Sequence, residues 1–368
     1  MGKGRAFIYR AYLHASFTFC SPFTRLPVAG SGEDLLVSST FASQAPANSA
    51  PPPRKLTTKH RRSDQIYRVV VTAFSFSALI ILALIGLFLL LKGFSAFKEQ
   101  GLHFFTSSTW SVTQDANGKD VGRFGLAAML LGTVLIAFVA LFIAVPLSVL
   151  TALFLTFYAP ERIRTFLISV VDLMAAFPSI LYGLWGFFIL GPMAEYWAKL
   201  INKYLGWIPF LAVPQPSFTR SPFIAGIVLA VMIVPIITSV SREVFSQTPL
   251  DRVQAAYALG ASKWGMIKAV VLPFGSSGIV GGAMLGLGRA FGETVAVYSV
   301  LNIVFRPNWH ILFTQGGNVA SMIIGQWGEA GKSEISALLA AGLVLFVLTL
   351  LVNFAADFVV NRAVKSGR

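Results

Sequence analysis

The stretch QAAYALGASKWGMIKAVVLP, residues 254–273, lies between two apolar runs of membrane-spanning length. Residues 254–259 are mostly good helix formers, and Gly260 is a natural helix stop because glycine reaches the left-handed conformation without strain. Ser262 can cap a second short helix, which we expect Pro273 to end. The sequence therefore predicts a short helix-turn-helix between two spans. On chemistry alone, an ordinary connecting loop is an equal alternative.

The composition is that of a polytopic membrane protein. Of the 368 residues, 55% are hydrophobic and 12% are charged, whereas soluble proteins average about 25% charged residues. The net charge of +14 could suggest a nucleic-acid partner, but no soluble domain carries a basic face with interleaved aromatic residues. A single cysteine, Cys20, excludes a disulfide framework within the chain, and the four scattered histidines lack zinc spacing. We therefore expect no nucleic-acid partner, no metal and no cofactor.

Residues 1–66 differ in composition from the rest of the chain. They are rich in Ser, Pro and Ala and end in a basic cluster at residues 54–62. Such a segment cannot bury enough apolar surface to offset its ordering entropy, so we predict a disordered, basic, cytosolic tail. A signal peptide fits poorly, because the apolar run near Phe17 is too short and lacks a small-residue cleavage site. A non-native upstream extension is the alternative.

Residues 67–368 contain six apolar runs, each near the roughly 20 residues that a helix needs to cross a bilayer. We place them at about Val69–Leu91, Ala127–Leu155, Phe166–Gly191, Phe223–Ser241, Gly275–Val300 and Ile335–Val360. Pro146 should bend the second run. Pro178 and Pro235 are tolerable in the third and fourth runs, because neighbouring helices can satisfy the freed carbonyl groups. The predicted fold class is an all-α polytopic membrane protein with six transmembrane helices.

The Lys and Arg distribution predicts the orientation, because cytosolic segments carry an excess of positive charge. With both termini inside, nineteen of these residues fall on the cytosolic side and nine on the outer side. This places the 242–273 loop in the cytosol. The three long outer connections hold tryptophans typical of the membrane interface. They are equally well interpreted as a docking surface for an external binding protein or as interfacial loops.

Two ionisable residues, Arg289 and Glu293, lie in the body of the fifth run. An ionisable group there costs several kcal/mol unless it faces a partner or a watery cavity. Their spacing of four allows a pair across one helical turn. A guanidinium offers paired donors that match an oxyanion such as phosphate, with Glu293 as its counter-ion; the alternative is a structural ion pair between helices. Asp172, in the third run, is a possible secondary site residue.

The 254–273 spacing resembles the EAA-xxx-G-(nine residues)-I-x-LP signature of ABC importer permeases, the loop that docks on the ATP-hydrolysing subunit. Gln254 stands where the family usually has Glu, and Val270 where it usually has Ile. The missing carboxylate removes one expected polar contact to the ATPase but does not change the expected geometry of the loop. The resemblance assigns ATPase coupling to Gln254, Ala255, Ala256, Gly260, Leu272 and Pro273, and it implies the type I importer permease fold.

Three further segments resemble the Pst-type phosphate importer, and within it the C-type permease subunit. They are FPSILYGLWG (177–186), QTP (247–249) and LGLGRAFGET (285–294), within a resemblance that runs from about residue 68 to residue 363. It implies a subunit of an inorganic phosphate importer in a bacterial plasma membrane. The implied partners are a second, A-type permease, a dimer of ATP-binding subunits and an extracytoplasmic phosphate-binding protein. The resemblance also implies that Arg289 and Glu293 are needed for transport.

Other classes of protein fit the sequence less well. Gly331-Lys332-Ser333 is similar to the end of a Walker A motif, but Gln326 replaces the glycine five residues earlier, so we expect ATP hydrolysis in a separate subunit. One Arg/Glu pair does not supply the ring of charges that a channel needs, and no nucleophile and base converge as in an enzyme. A permease for molybdate or sulfate is the main alternative. A secondary transporter not coupled to ATP is less well supported, because no internal repeat is evident.

Overall fold

The computed structural model describes residues 62–114, 120–213 and 215–366. The prediction of a disordered tail falls on residues 1–61, which lie outside the described residues, and on 62–66, which begin the first helix. Residues Ile66–Arg368 form one compact unit.

The described chain is helical except for one short hairpin and its connections. The elements are α1 (Arg62–Gln100), α2 (His103–Thr106), β1 (Trp110–Gln114), β2 (Asp120–Phe124), α3 (Ala127–Leu153), α4 (Glu161–Ala176), α5 (Ser179–Trp185), α6 (Gly191–Leu205), α7 (Pro222–Ser246), α8 (Leu250–Ala258), α9 (Lys263–Met266), α10 (Leu272–Gly292), α11 (Val295–Val300), α12 (Val319–Trp327) and α13 (Lys332–Ser366). Single π-helical turns extend α3 at Phe154–Tyr158, join α5 to α6 at Gly186–Leu190 and join α9 to α10 at Ile267–Val271.

The six predicted spans are confirmed, with two corrections to their shape. Five helical runs among the described residues are long and apolar enough to cross a membrane, and α4 together with the Ser179–Leu205 run (α5, its π-turn and α6) makes a sixth that bends by 95°. The third run is therefore not one straight helix, because the backbone is extended at Phe177 and Pro178, between α4 and α5. The fifth run starts earlier than expected and ends earlier, as Lys263–Gly292.

Pro273 does not end the short helix of the 254–273 stretch, as we expected, but lies in the first turn of α10. The π-helical turn Ile267–Val271 immediately before it widens the helix. A π-turn shifts the hydrogen-bond register by one residue, which lets the helix continue where proline lacks its N–H. As a result, α9, the π-turn and α10 form one continuous span.

Helices α3 and α7 form the centre of the core. Half of the residues in the most apolar segment of α3 are buried, and so are 61% of those in the corresponding segment of α7. The two helices approach closely at Gly226, where an added Cβ would lie 2.7 Å from Cβ of Val139. Both helices continue through their internal prolines, Pro146 and Pro235. The buried Ser148 links them, because its hydroxyl donates to the Val234 carbonyl at 3.1 Å.

The two ends of the bundle differ in structure. At the end that we call the loop end, Leu153 of α3 and Phe245 of α7 pack with Met266 and Ile267. At the opposite end, the hairpin end, β1 pairs antiparallel with β2. The Trp110 indole donates to the Glu334 carboxylate of α13 at 2.7 Å, which attaches the hairpin to the bundle. This hairpin departs from the purely α-helical prediction.

Helix α1 lies at the edge of the molecule. In its most apolar segment, the part long enough to cross a membrane, no residue is buried. Its contact with the bundle is made near its C-terminal end, where Gly93 approaches α13 so closely that an added Cβ would lie 2.8 Å from Cα of Ala340. The exposed apolar surface of α1 suits a helix surrounded by lipid.

Candidate functional site

The fifth span breaks at Glu293. Helix α10 ends at Gly292, Glu293 is extended (ψ 119°), and α11 begins at Val295. The carboxylate of Glu293 turns toward the new helix and accepts a hydrogen bond from the Ala296 N–H at 3.2 Å. It thereby satisfies one of the N–H groups that a helix start leaves without a partner. Glu293 is 7% exposed, so this capping contact is made inside the protein.

The connection between α11 and α12 holds the break from its other side. The Asn318 side chain donates to the Glu293 carbonyl at 2.8 Å and also forms a capping box with Ser321 at the start of α12. The next residue, Val319, donates its N–H to the Thr133 hydroxyl of α3 at 3.0 Å. The carbonyl freed by the break is thus satisfied by a buried amide that is itself fixed to the core.

Arg289 lies in the last turn of α10, one turn before the break. Its side chain is half-buried, and its Nε is buried without a hydrogen-bond partner in the part of the chain that the structure describes. It lies within electrostatic range of the Tyr182 phenol of α5. A buried N–H without a partner is costly unless a ligand or water completes it. Arg289 is therefore a charged group with unused donors beside the break.

The expected ion pair between Arg289 and Glu293 is not formed. In the described part of the chain, the one ion pair joins Lys199 to Glu195 at 2.8 Å. The helical spacing of four predicts a pair only while the helix continues. Because α10 ends at Gly292, Glu293 leaves the helical register and caps α11 instead.

The two interrupted spans meet at this place. The Tyr182 hydroxyl of α5 donates to the Met174 carbonyl of α4 at 2.7 Å, across the bend. Gly183 of α5 lies against α11, where an added Cβ would be 2.8 Å from Cα of Ala296 and 3.3 Å from Cβ of Ser299. The bend of the third span and the break of the fifth therefore face each other.

Asp172 does not join this site. It lies on α4 with an exposed side chain, and no hydrogen bond or ion pair of the described residues involves its carboxylate. By contrast, Tyr182, Asn318 and Thr133 belong to the site and were not selected from the sequence. Asn318 could have been noticed as an N-cap before an apolar helix, but its contact with Glu293 bridges 25 residues and has no local signal.

The 254–273 stretch forms the predicted helix-turn-helix at the loop end. Gly260 adopts a left-handed conformation (φ 80°), and Ser262 caps α9 by accepting from the Gly265 N–H at 3.2 Å. One side of the loop packs into the core through Met266, Ile267 and the half-buried Ala256. The residues assigned to coupling are otherwise spread along it: Gln254, Ala255, Gly260 and Pro273 are exposed, and Leu272 is half-buried.

The other side of this loop presents large apolar side chains to the surroundings. Leu250, Leu259 and Trp264 are 72%, 89% and 53% exposed. Contiguous exposed apolar side chains mark an interaction surface when they are rimmed by polar residues, and here Asp251, Arg252 and Lys263 accompany them. The fold and these two regions define a class: a polytopic helical membrane protein with a buried charged site and an exposed apolar loop.

Comparisons with known proteins identify the family. A family profile described as "Binding-protein-dependent transport system inner membrane component" matches residues 144–365. The phosphate transport system permease protein PstC 2 of Mycobacterium tuberculosis is 42% identical over 311 residues, which are 84% of this chain and 93% of that protein. PstC of Mycobacterium leprae is 44% identical over 287 residues (77% and 87%), and PstC of Xylella fastidiosa 37% over 304 residues (82% and 91%). The chain therefore belongs to the binding-protein-dependent transport permeases and, within them, to the PstC-type permeases.

A solved structure shares the fold. The crystal structure of a bacterial alginate ABC transporter, in complex with its alginate-bound periplasmic protein, matches with a TM-score of 0.54 at 15% sequence identity. The match covers 82% of this chain and 98% of that chain. The six-span permease fold predicted from the sequence is thereby confirmed.

Proposed function

We propose that this chain is the C-type transmembrane permease subunit of an ATP-driven importer of inorganic phosphate. The PstC relatives, named as phosphate transport permeases, cover most of the chain at 37–44% identity. The single observation that carries the chemistry is Arg289, a charged side chain inside the spanning region whose buried Nε has no partner among the described residues. A guanidinium presents donors in a planar fork that matches two oxygens of a phosphate.

In this proposal, Arg289 and Glu293 have different tasks. Arg289 binds the oxyanion as it crosses, because its charge and its unused donor compensate the dehydration of the anion. Glu293 holds the break open by capping α11 through the Ala296 N–H, and so positions the last turn of α10 on which Arg289 lies. The negative charge of Glu293 also limits how tightly the anion is held, which favours its release.

We propose three partners and a separate ATPase. A dimer of ATP-binding subunits docks on the exposed apolar side of the 242–273 loop, and ATP is hydrolysed there and not in this chain. An A-type permease pairs with the spans. An extracytoplasmic phosphate-binding protein delivers its ligand at the hairpin end. The support for these partners is the coupling-loop signature, the exposure of Leu259 and Trp264, and membership of a binding-protein-dependent family.

We further propose that the protein lies in a bacterial plasma membrane with both termini in the cytosol. The count of Lys and Arg in the sequence, nineteen in segments assigned to the cytosol against nine in segments assigned outside, supports this orientation. A secondary role of Asp172 would be played at the exposed surface of α4, where its side chain lies.

The test is uptake by the complete complex in proteoliposomes. We expect labelled phosphate to accumulate only when ATP is enclosed with the ATP-binding subunits and when loaded binding protein is present outside. Excess unlabelled phosphate should compete, and sulfate or molybdate at the same concentration should not. Uptake of labelled molybdate or sulfate in place of phosphate would contradict the substrate assignment, and uptake without ATP would contradict the class of transporter.

A further inference from the structure

A cavity of about 860 Å³ lies at the hairpin end of the bundle, beyond the break in the fifth span. Its walls come from α5 and its π-turn, the end of α11, the start of the connection that follows, and α12. Its polar lining consists of Arg220, Tyr298, Ser299, Asn302 and Gln326. No carboxylate lines it, so the cavity has a positive balance of charge.

Arg220 is held in place on the wall of this cavity. In the ranges that the structure describes, it is the non-glycine residue with a positive φ, 49°. A side chain rarely adopts this conformation unless its surroundings impose it, and such residues cluster at functional sites. Its Nη1 donates to the Asn302 side-chain oxygen, and its guanidinium lies 4.9 Å from the centre of the Phe187 ring. Two contacts thus fix the orientation of the charge.

The charge of Arg220 is not neutralised by a carboxylate. No ion pair of the described residues involves it, and the nearby Glu195, on the wall of an adjoining cavity, is paired with Lys199. Two further donors of the large cavity, the Tyr298 hydroxyl and the Gln326 amide, make no hydrogen bond to the described protein. A fixed guanidinium with neutral donors around it, and no competing carboxylate, is the chemistry of an anion site.

We infer that this cavity is a receiving site for a tetrahedral oxyanion, with Arg220 as its anchor. The inference rests on the proposed function and deepens it. The cavity and Arg289 lie at opposite ends of α11: Tyr298 and Ser299 line the cavity, and Ala296 binds Glu293 at the break. A helix of six residues is about 9 Å long. The anion therefore moves a short distance from Arg220 to Arg289, along α11, after the binding protein releases it.

The first experiment detects occupancy without measuring transport. Phenylglyoxal, which reacts with exposed guanidinium groups, is applied to the complete complex in nanodiscs of zwitterionic lipid, and modification of Arg220 is followed by peptide mass spectrometry. We expect millimolar inorganic phosphate to slow this modification several-fold, and equal chloride to have no effect. Repeating the experiment with anionic lipid and no phosphate separates a lipid headgroup from a free anion. Protection by anionic lipid alone, or no protection by phosphate, would overturn the inference.

The second experiment measures uptake by variants. Arg220→Gln removes the charge, and Arg220→Gly removes it while relieving the positive φ, so a loss shared by both cannot come from backbone strain. We expect both to lower uptake at limiting phosphate by about tenfold, the scale of one charge-assisted hydrogen bond. Lys203→Gln is the matched control, because it removes an exposed cation that lines neither this cavity nor the adjoining one.

Two outcomes of this series separate the inference from the proposed function. Normal phosphate uptake by both Arg220 variants would overturn the receiving site and leave the phosphate importer intact. If the variants instead weaken binding of the loaded binding protein by the same factor as uptake, while phosphate gives Arg220 no protection, Arg220 is a protein contact and the inference is wrong.

Discussion

The α3–α7 pair and the α5–α11 pair are both built from apolar helices, yet one is continuous and the other interrupted. The α3–α7 pair contains Pro146 and Pro235 and remains helical through both. The α5–α11 pair adjoins a 95° bend at Pro178 and a break at Glu293, which is not a proline. Proline alone therefore does not decide where a membrane helix stops.

What differs is the supply of polar partners. The α3–α7 pair is packed by large and small apolar residues, with few polar contacts such as that of Ser148. At the interruption, Asn318 satisfies the Glu293 carbonyl and the Glu293 carboxylate satisfies the Ala296 N–H. Irregular backbone inside a membrane is tolerated only where protein or water satisfies its polar groups. The continuous pair is therefore a scaffold, and the interrupted pair is where a charge can be used.

The largest effect should come from Arg289, the charge at the interrupted pair. Arg289→Gln keeps the approximate size and removes the charge, so we expect phosphate uptake to fall by about two orders of magnitude or more, with normal assembly. Arg289→Lys should also be poor, because a point charge cannot bind two phosphate oxygens in one plane. The measurement is labelled uptake with equal amounts of purified complex. Normal uptake by Arg289→Gln would leave the interruption without a transport role.

The loop end should give the next largest effect. Gly260 has φ 80° and open space around it, so Gly260→Val strains the backbone without a clash inside the chain. We expect ATPase activity and co-purification of the ATP-binding subunit to fall about tenfold, since strain of about 1–3 kcal/mol disfavours the docking conformation. Gly260→Asn is the matched control, because asparagine tolerates the left-handed region. Equal losses in both variants would point to the side chain and not to the backbone.

Substitutions of Glu293 test whether its carboxylate acts only as the cap of α11. Glu293→Gln keeps an oxygen that can accept from the Ala296 N–H, whereas Glu293→Ala leaves the α11 start uncapped. Loss of a cap costs about 0.5–2 kcal/mol, so we expect uptake to fall up to about tenfold in the alanine variant and at most about threefold in the glutamine variant. If the two variants are equally impaired in the uptake assay, the carboxylate charge itself takes part in the cycle.

A smaller and purely structural effect is expected at the continuous pair. Ser148→Ala removes the hydroxyl that donates to the Val234 carbonyl of α7. We expect stability to fall by about 0.5–1.5 kcal/mol and uptake to remain normal. Thermal unfolding of the purified complex measures the first quantity. Ser246→Ala serves as the control, because this exposed serine at the end of α7 donates only within its own helix, to the Glu243 carbonyl. A strong transport defect in Ser148→Ala would make the scaffold part of the mechanism.

The smallest effect is expected from the N-terminal tail. A truncated chain that starts near Lys59 keeps the basic residues before the first span, so its orientation should be preserved. We expect assembly and uptake to match those of the full-length protein. Failure of the truncated chain to assemble would show that residues 1–58 make contacts on which the complex depends.

The sequence was most informative where the determinants are local. The stop at Gly260 and the cap at Ser262 depend on residues within one turn, and both are confirmed. The six spans follow from run length, and they are confirmed too. The prediction that Pro273 ends a helix was wrong. The π-turn Ile267–Val271 shifts the hydrogen-bond register just before Pro273, so the helix continues although proline has no N–H to donate. No pattern of residue types marks that turn.

The site could be found from the sequence only in part. Arg289 and Glu293 were selected because ionisable groups are costly in an apolar run, and the structure places both at the interruption. Their pairing was predicted wrongly, because the register changes at Glu293 through a contact with Asn318 that no local spacing reveals. From the sequence, Arg220 was only one of the nine basic residues assigned to the outer side. Neither its positive φ nor the cavity that it lines can be recognised from the residue types around it.

The hydrogen bond between Trp110 and Glu334 joins residues that are 224 positions apart in the chain. A ribosome adds roughly 5–20 residues per second, so about 10–45 s separate the synthesis of the two partners. During that interval the bond to α13 cannot form, and the hairpin depends on contacts with earlier residues, such as that of the Gln100 amide with the Gly122 carbonyl at 2.6 Å. A chain that stops before α13 therefore leaves the Trp110 indole without its carboxylate acceptor.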